Sequence, residues 1–173
     1  MIKKLLLVEL NEFDLKYLKY GAKKYNCKNI LQLLNKKSVK TYTKDKSQDY
    51  NLDPWVQWVS IHTGKKSNSH KVLRHGETLN KNISQIWDLL ANKKITCSVW
   101  GPVNGVFRES KYLKLFFPDP WSFKEKPKPK KLLKFLNLQK YYAMNYTGIN
   151  KLLLAKYFFI FLIGILFSKS FLN

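Results

Sequence analysis

Short apolar runs alternate with segments of helical periodicity over the first hundred residues, and this order limits the fold more than any other feature. Residues 2–10 and 95–100 are apolar runs, and residues 38–43, SVKTYT, alternate and are β-branched, as in a strand near the edge of a sheet. The first run is apolar almost throughout after its two lysines, as in a strand that is covered on both faces. Strands that alternate with helices pair in parallel through right-handed crossovers. The sequence therefore predicts an α/β fold with a layered, mostly parallel sheet and flanking helices.

The helix before the third run carries clear signals for both of its ends. Asp53 and Pro54 suit the N-cap and the first turn, and Gly64 suits the C-cap. Side chains at i, i+3, i+4 and i+7 predict one buried face, formed by Trp55, Trp58, Val59 and His62.

Three further helices are predicted from periodicity. Asn11 is the expected N-cap of the first, which follows the first strand, and a second short helix covers residues 30–34. Residues 82–93 form the third. In parallel sheets, ligands bind at the carboxyl ends of strands, so the loops at 9–12, 44–53 and 101–104 are the expected positions for chemistry.

The rest of the chain is less regular and divides into three parts. Residues 113–117 read as a short strand, and residues 1–123 together form the predicted α/β segment. Residues 124–131, KEKPKPKK, are predicted to be a solvated Lys/Pro-rich connector. A helical tail follows over 132–173, and its apolar residues from 152 to 172 reach the length of a membrane helix.

The net charge of +21 points first to nucleic acid or to an anionic membrane surface. Lys and Arg total 32 residues, but only Arg74 and Arg108 are Arg, the residue that nucleic-acid readers favour for bidentate contacts. This disfavours nucleic acid as a partner. Cys27 and Cys97 form neither a disulfide framework nor a metal-ligand spacing. The N-terminal apolar run is interrupted by Glu9 and is too short for a secretory signal, so we expect a cytoplasmic protein.

Several segments in order resemble the N-terminal part of the alkaline phosphatase superfamily, in its sulfatase and type I phosphodiesterase/nucleotide pyrophosphatase-like branch. These segments are LLLVELNEFD, LDPWVQWVSIHTG, VWGPVN and FFPDPWSF. The last three resemble, more specifically, an uncharacterised bacterial branch of the superfamily. In that family the first strand ends at an acidic metal ligand, and a Thr or Ser nucleophile begins a helix that ends in Thr-Gly. A loop with His-Gly follows, and residues 69–72 of this chain, SHKV, lie where the resemblance places that loop, with Lys71 in place of the glycine. The resemblance implies a divalent metal, zinc or manganese, and ester hydrolysis of phosphate or sulfate.

The resemblance assigns metal-ligand roles to Glu9 and Asn11, and a catalytic role to Asp53. Its nucleophile position falls at Pro54, which has no hydroxyl, and Asn11 is a weaker ligand than Asp. A salt bridge or a backbone cap is the alternative role for Glu9, and an N-cap is the favoured role for Asp53. The resemblance also assigns substrate binding to Trp55, Gln57 and His70. The alternative for Trp55 is packing in the core, and the alternative for His70 is a position in a polar surface loop.

Two functions follow as hypotheses. The first is a truncated or split hydrolase segment, with surface glycan esters among its candidate substrates and with a downstream polypeptide as the partner that completes the fold. No independent catalysis is expected, because the further Asp and His ligands of a two-metal site come from the far half of the family's longer domain. The second is a small basic protein that associates with membranes through residues 152–172 and serves only for binding.

Overall fold

The computed structural model describes residues 4–39, 41, 53–148 and 150–166, and the chain divides into two compact units, 1–44 and 45–173. The described part is a mixed fold of helices and one small parallel sheet, which confirms the α/β prediction at this coarse level. The strands are β1 (Cys97–Trp100) and β2 (Leu113–Phe117). The helices are α1 (Leu15–Lys24), α2 (Lys28–Leu34), α3 (Pro54–Thr63), α4 (Ser67–His70), α5 (Ile86–Asn92), α6 (Leu133–Met144) and α7 (Lys151–Leu166).

The first unit contains α1 and α2, and the N-cap of α1 differs from the prediction. Asp14, not Asn11, occupies the cap, and its carboxylate accepts hydrogen bonds from the N–H groups of Lys16 (2.6 Å) and Tyr17 (3.2 Å). A carboxylate satisfies orphan N–H groups and also favours the positive end of the helix dipole. Asn11 lies instead in a turn that precedes this cap.

The predicted first strand is wrong for its described residues. Residues 4–10 are neither helix nor strand, and their apolar side chains are exposed, with Leu5 at 85%. The apolar run reflects strand propensity, but a strand also needs a partner with which to pair. Residues 38, 39 and 41 of the second predicted strand have no regular structure, and the other residues of that prediction lie outside the described part.

The second unit contains the sheet, whose two strands run parallel. Cys97 pairs with Leu113 and Trp100 pairs with Phe117, with an irregularity after Cys97. The strands predicted at 95–100 and 113–117 are thus confirmed, the first with a later start. Residues 101–112 form the crossover, which is long enough for a parallel connection but contains no helix.

Buried apolar side chains of the described part form three clusters around this sheet. Burial of such side chains is the dominant favourable term in folding. The first cluster joins α3 to the crossover, the second lies under α5 and both strands, and the third joins β2 to α6. Their buried members are Val59, Val72, Leu79 and Val106; Trp87, Leu113 and Phe116; and Phe117, Leu132 and Leu136.

Helix α3 has the ends that the sequence predicts. Asp53 is the N-cap residue with an extended backbone, although its side chain makes no capping hydrogen bond, and Pro54 opens the first turn. Gly64 closes the helix at a φ of 65°, a left-handed conformation that glycine adopts without strain. The fully buried face differs from the prediction, because Val56 joins Val59 and His62 while both tryptophans are half-buried.

Helix α5 starts later than residue 82. The Asp88 carboxylate accepts a hydrogen bond from the N–H of Gln85 (2.8 Å), which fixes the first turn there. The Arg108 guanidinium pairs with the same carboxylate and donates to the carbonyls of Asn80 (3.2 Å) and Ile83 (2.8 Å). These contacts hold the preceding segment outside the helix.

The segment 124–131, predicted to be solvated, packs in part against the sheet. The backbone N–H and C=O of Lys128 both bond to Phe116, at 2.8 and 3.0 Å, and Pro127 is buried. Helix α6 follows after a short 3-10 turn. A long apolar helix over the predicted residues 152–172 is not found: α7 covers Lys151–Leu166, and residues 167–172 lie outside the described part. None of the described helices combines the length and apolar character needed to cross a membrane.

Candidate functional site at the carboxyl edge of the sheet

The carboxyl ends of β1 and β2 lie side by side in the second unit. Gly101 follows β1, and its N–H donates to the carbonyl of Phe117 at the end of β2 (2.7 Å). Asp119 comes two residues after that carbonyl, and it is buried. Ligand sites of parallel sheets occur at such edges, so the side chains gathered here form the candidate site.

The centre of the candidate site is a hydrogen-bonded pair of a histidine and an aspartate. His75 Nε2 lies 3.2 Å from Asp119 Oδ2, and the histidine side chain is 28% exposed against 8% for the aspartate. An ionised carboxylate only accepts hydrogen bonds, so Nε2 is the donor and Nδ1 is the remaining acceptor of a neutral ring. A carboxylate that orients an imidazole in this way serves either acid–base chemistry or metal ligation.

Two tryptophans hold the His75 ring. Trp55 stacks on it with a centroid separation of 5.7 Å and an interplanar angle of 8°, and Trp121 contacts it at 5.3 Å. The backbone N–H of Trp121 donates to Asp119 Oδ1 (2.6 Å), so this residue also fixes the carboxylate. Trp55 Nε1 donates to the carbonyl of Leu73 (3.1 Å), which ties α3 to the loop that carries the histidine.

Asn104 joins the three segments that form the candidate site. Its Nδ2 donates to the carbonyls of Trp55 (3.3 Å) and Arg74 (3.0 Å), and its Oδ1 accepts from the N–H of Gly76 (2.8 Å). The side chain is almost fully buried and the backbone has a φ of 51°, which Asn tolerates better than most residues. One amide thus satisfies backbone groups of α3 and of the histidine loop from within the crossover.

A second histidine pair has a different arrangement. His70 is buried, its Nδ1 accepts from the N–H of Val72 (3.1 Å), and its Nε2 lies 3.1 Å from Ser60 Oγ. Because Nδ1 accepts a backbone N–H, Nε2 carries the proton of the neutral ring and donates to the serine. His70 in this tautomer is therefore not a base for Ser60, and the predicted surface position of His70 is wrong.

Glu125 and Lys140 add charge beside the crossover. Glu125 Oε2 accepts from the N–H of Phe107 (2.9 Å), and Lys140 Nζ donates to the carbonyls of Phe123 (2.9 Å) and Glu125 (3.0 Å). Burial raises the pKa of the Glu125 carboxyl, against the opposing effects of the Phe107 N–H, Lys140 and Arg108. Burial lowers the pKa of Lys140, and the Glu125 carboxylate acts in the other direction.

The raised pKa of Glu125 gives a testable pH dependence. As the pH rises above the ordinary value of 4.5, the unfolded chain loses this proton before the folded chain does. The contribution of Glu125 to stability is therefore complete below 4.5 and is lost as the pH rises through the folded pKa. We expect the free energy of unfolding of the wild type minus that of Glu125→Gln to fall over this range and then become constant.

Urea unfolding at a series of pH values measures this difference. Glu109→Gln is the matched control, since the side chain of Glu109 is 77% exposed. A difference for Glu125→Gln that rises with pH, or that follows the Glu109→Gln control, would contradict the assignment.

The residues predicted from the sequence are distributed over both units. Glu9 and Asn11 belong to the first unit, in the segment before α1. Trp55 is part of the candidate site through its stacking on His75. Asp53 occupies the N-cap position of α3, Gln57 lies half-buried on this helix, and His70 pairs with Ser60.

The fit of a zinc or manganese ion depends on the number of available ligands. Within the described ranges, His, Cys, Asp and Glu side chains do not gather in groups of three or more that could hold a metal ion. His75 and Asp119 supply one imidazole and one carboxylate, whereas protein zinc sites use three or four protein ligands. The metal remains a prediction.

No protein-family profile, curated protein or solved structure matches this chain. Sequence reasoning did not assign a site role to Asp119 or Asn104, although the predicted loop at 101–104 contains the latter. The available signal was the His-Gly dipeptide that the resemblance expects after Thr63-Gly64. That dipeptide occurs at His75-Gly76, not at His70.

Proposed function

We propose that this chain is the N-terminal part of an alkaline-phosphatase-like hydrolase that acts on phosphate or sulfate esters. The observation that carries the proposal is the convergence of His75, Asp119 and Asn104 at the carboxyl edge of the parallel strand pair. This edge is where α/β hydrolytic sites are built. In the proposal, the oriented His75 imidazole contributes to ester hydrolysis, and a surface glycan is a candidate carrier of the ester.

We propose further that a second polypeptide completes the fold. Parallel sheets are normally covered on both faces and contain more than a pair of strands. Here the sheet of the described residues has two strands, and the apolar side chains of residues 5–8 are exposed in the first unit. Additional strands and helices would cover such surfaces. The same polypeptide would supply the further Asp and His ligands for zinc or manganese.

Assays of the isolated chain test the need for a partner. The chain is incubated with p-nitrophenyl phosphate, its bis ester and p-nitrophenyl sulfate, each with zinc or manganese. We expect no turnover above background, because one imidazole–carboxylate pair does not bind two metal ions. Turnover that is abolished by Glu9→Gln would contradict the proposal, since it would place a complete site in this chain.

A second candidate function, membrane association, is favoured by α7. This helix is strongly apolar and exposes large side chains, among them Leu152, Phe159 and Ile163. Transfer of exposed apolar side chains such as these from water into the acyl region of a bilayer is favourable. The net charge of +21 would add attraction to anionic lipids.

Vesicle flotation gives a prediction for this second function. Ile163→Ser on α7 should reduce the fraction of protein that floats with anionic vesicles severalfold, because burial of a large aliphatic side chain contributes about 1.5–3 kcal/mol. Ile61→Ser on α3 is the matched control, since the two isoleucines are 53% and 60% exposed. Equal flotation of both variants would rule out α7 as the membrane contact.

A further inference from the structure

A groove of about 890 Å³ lies between α6, α7 and the carboxyl edge of the sheet. Its volume falls within the range of about 300–1,000 Å³ that is typical of small-molecule sites. The walls are mainly apolar and aromatic. Among the lining residues are Trp100, Phe117, Trp121, Tyr142, Leu154 and Phe158.

The walls of the groove are held in place by contacts between the elements that form it. Trp100 stacks on Phe117 with a centroid separation of 4.2 Å. Tyr141 of α6 contacts Tyr157 of α7 at 5.5 Å, and its hydroxyl accepts from the N–H of Asn150, which precedes α7 (3.2 Å). The groove is therefore formed before any ligand binds, which lowers the entropic cost of binding.

The polar groups of the groove indicate the charge of its ligand. Lys151, the first residue of α7, is the charged residue that lines the groove, and it is exposed. The lining also includes Gln139 and the tyrosines Tyr142 and Tyr146, whose side chains can donate hydrogen bonds. An apolar groove with one cationic residue and hydrogen-bond donors complements an apolar tail that ends in an anion.

We propose that this groove binds a single-chain amphiphile with an anionic head group. The tail occupies the aromatic walls, and the head group contacts Lys151. A long-chain fatty acid and an alkyl phosphate share this chemistry, and both are tested. The groove shares Trp121 with the candidate site at His75, but the inference concerns binding and does not require ester hydrolysis there.

Titration of the full chain with cis-parinaric acid, a fluorescent fatty acid, tests the proposal below the concentration at which the probe forms micelles. We expect saturable binding of one probe per chain. Palmitate and hexadecyl phosphate should both displace the probe, and the tighter of the two identifies the head group that the groove prefers. Binding without saturation, or displacement by neither competitor, would overturn the proposal.

Variants of α7 locate the bound probe. Ala155 lines the groove, so Ala155→Trp should fill it and weaken probe binding by about tenfold or more. Leu152→Trp is the matched control, because Leu152 is 84% exposed and is not a lining residue.

Lys151→Gln should weaken the binding of palmitate about fivefold and leave the binding of hexadecanol unchanged. Lys156→Gln is its control. Equal effects of the two tryptophan variants, or equal loss of palmitate and hexadecanol in Lys151→Gln, would contradict the assignment to this groove. Circular dichroism verifies that each variant is folded.

Discussion

Phe116→Ala is expected to lower the free energy of unfolding of the second unit by about 3–5 kcal/mol. Phe116 is a fully buried residue of β2, and its ring contacts Trp87 (6.1 Å) and Phe107 (5.6 Å). Its removal leaves a cavity between α5, the strands and the crossover, and the backbone pairing of Phe116 with Lys128 limits how far the surroundings can collapse. The cost should therefore lie in the upper part of the range for core substitutions.

Tryptophan fluorescence during urea unfolding measures this change selectively, because all five tryptophans belong to residues 45–173. Phe123→Ala is the matched control, since Phe123 is exposed and makes an edge contact with Trp121 (6.1 Å). We expect it to cost about 1 kcal/mol or less. Similar losses for the two variants would mean that β2 is not at the centre of the core.

Asn104→Gly is expected to cost about 2–4 kcal/mol, because it removes three hydrogen bonds and leaves buried backbone groups without partners. Glycine adopts the φ of 51° at this position freely, so this variant isolates the loss of the amide. Asn104→Ala should cost about 1–2 kcal/mol more, since a Cβ atom disfavours the left-handed conformation. The order of the two variants tests the backbone geometry as well as the hydrogen bonds.

The same fluorescence measurement applies to the Asn104 variants. Asn92→Ala, at the exposed end of α5, is the control and should change the free energy of unfolding by less than about 0.5 kcal/mol. If the alanine and glycine variants of Asn104 had the same free energy of unfolding as this control, Asn104 would not be the link between α3, the histidine loop and the crossover.

The sequence predicted the helices and strands whose ends are marked by nearby residues. Asp53, Pro54 and Gly64 define α3, and the apolar run before Gly101 defines β1. The prediction failed where an element depends on distant partners. The apolar run over residues 4–10 was expected to be a buried strand, yet it has no regular structure, because strand formation depends on a pairing that the run itself does not specify.

Only the location of the candidate site could be predicted from the sequence, and not the residues that pair within it. The carboxyl edge of the sheet follows from the order of strands, and Trp55 lies there as part of α3. The pairing of His75 with Asp119 joins residues 44 positions apart, and no local spacing indicates it. The sequence predicts a polar surface loop for His70, whereas the Val72 N–H and the Ser60 hydroxyl satisfy its ring in the interior.

The most direct test of the proposed function is reconstitution with the second polypeptide that is proposed to complete the fold. The two chains are co-expressed and co-purified, and turnover of p-nitrophenyl phosphate and sulfate esters is measured with zinc or manganese. We predict turnover by the complex and not by either chain alone, with strong loss in His75→Gln and Asp119→Asn and none in the exposed control Glu109→Gln. Turnover by this chain alone, or a complex whose activity is indifferent to His75 and Asp119, would contradict the account.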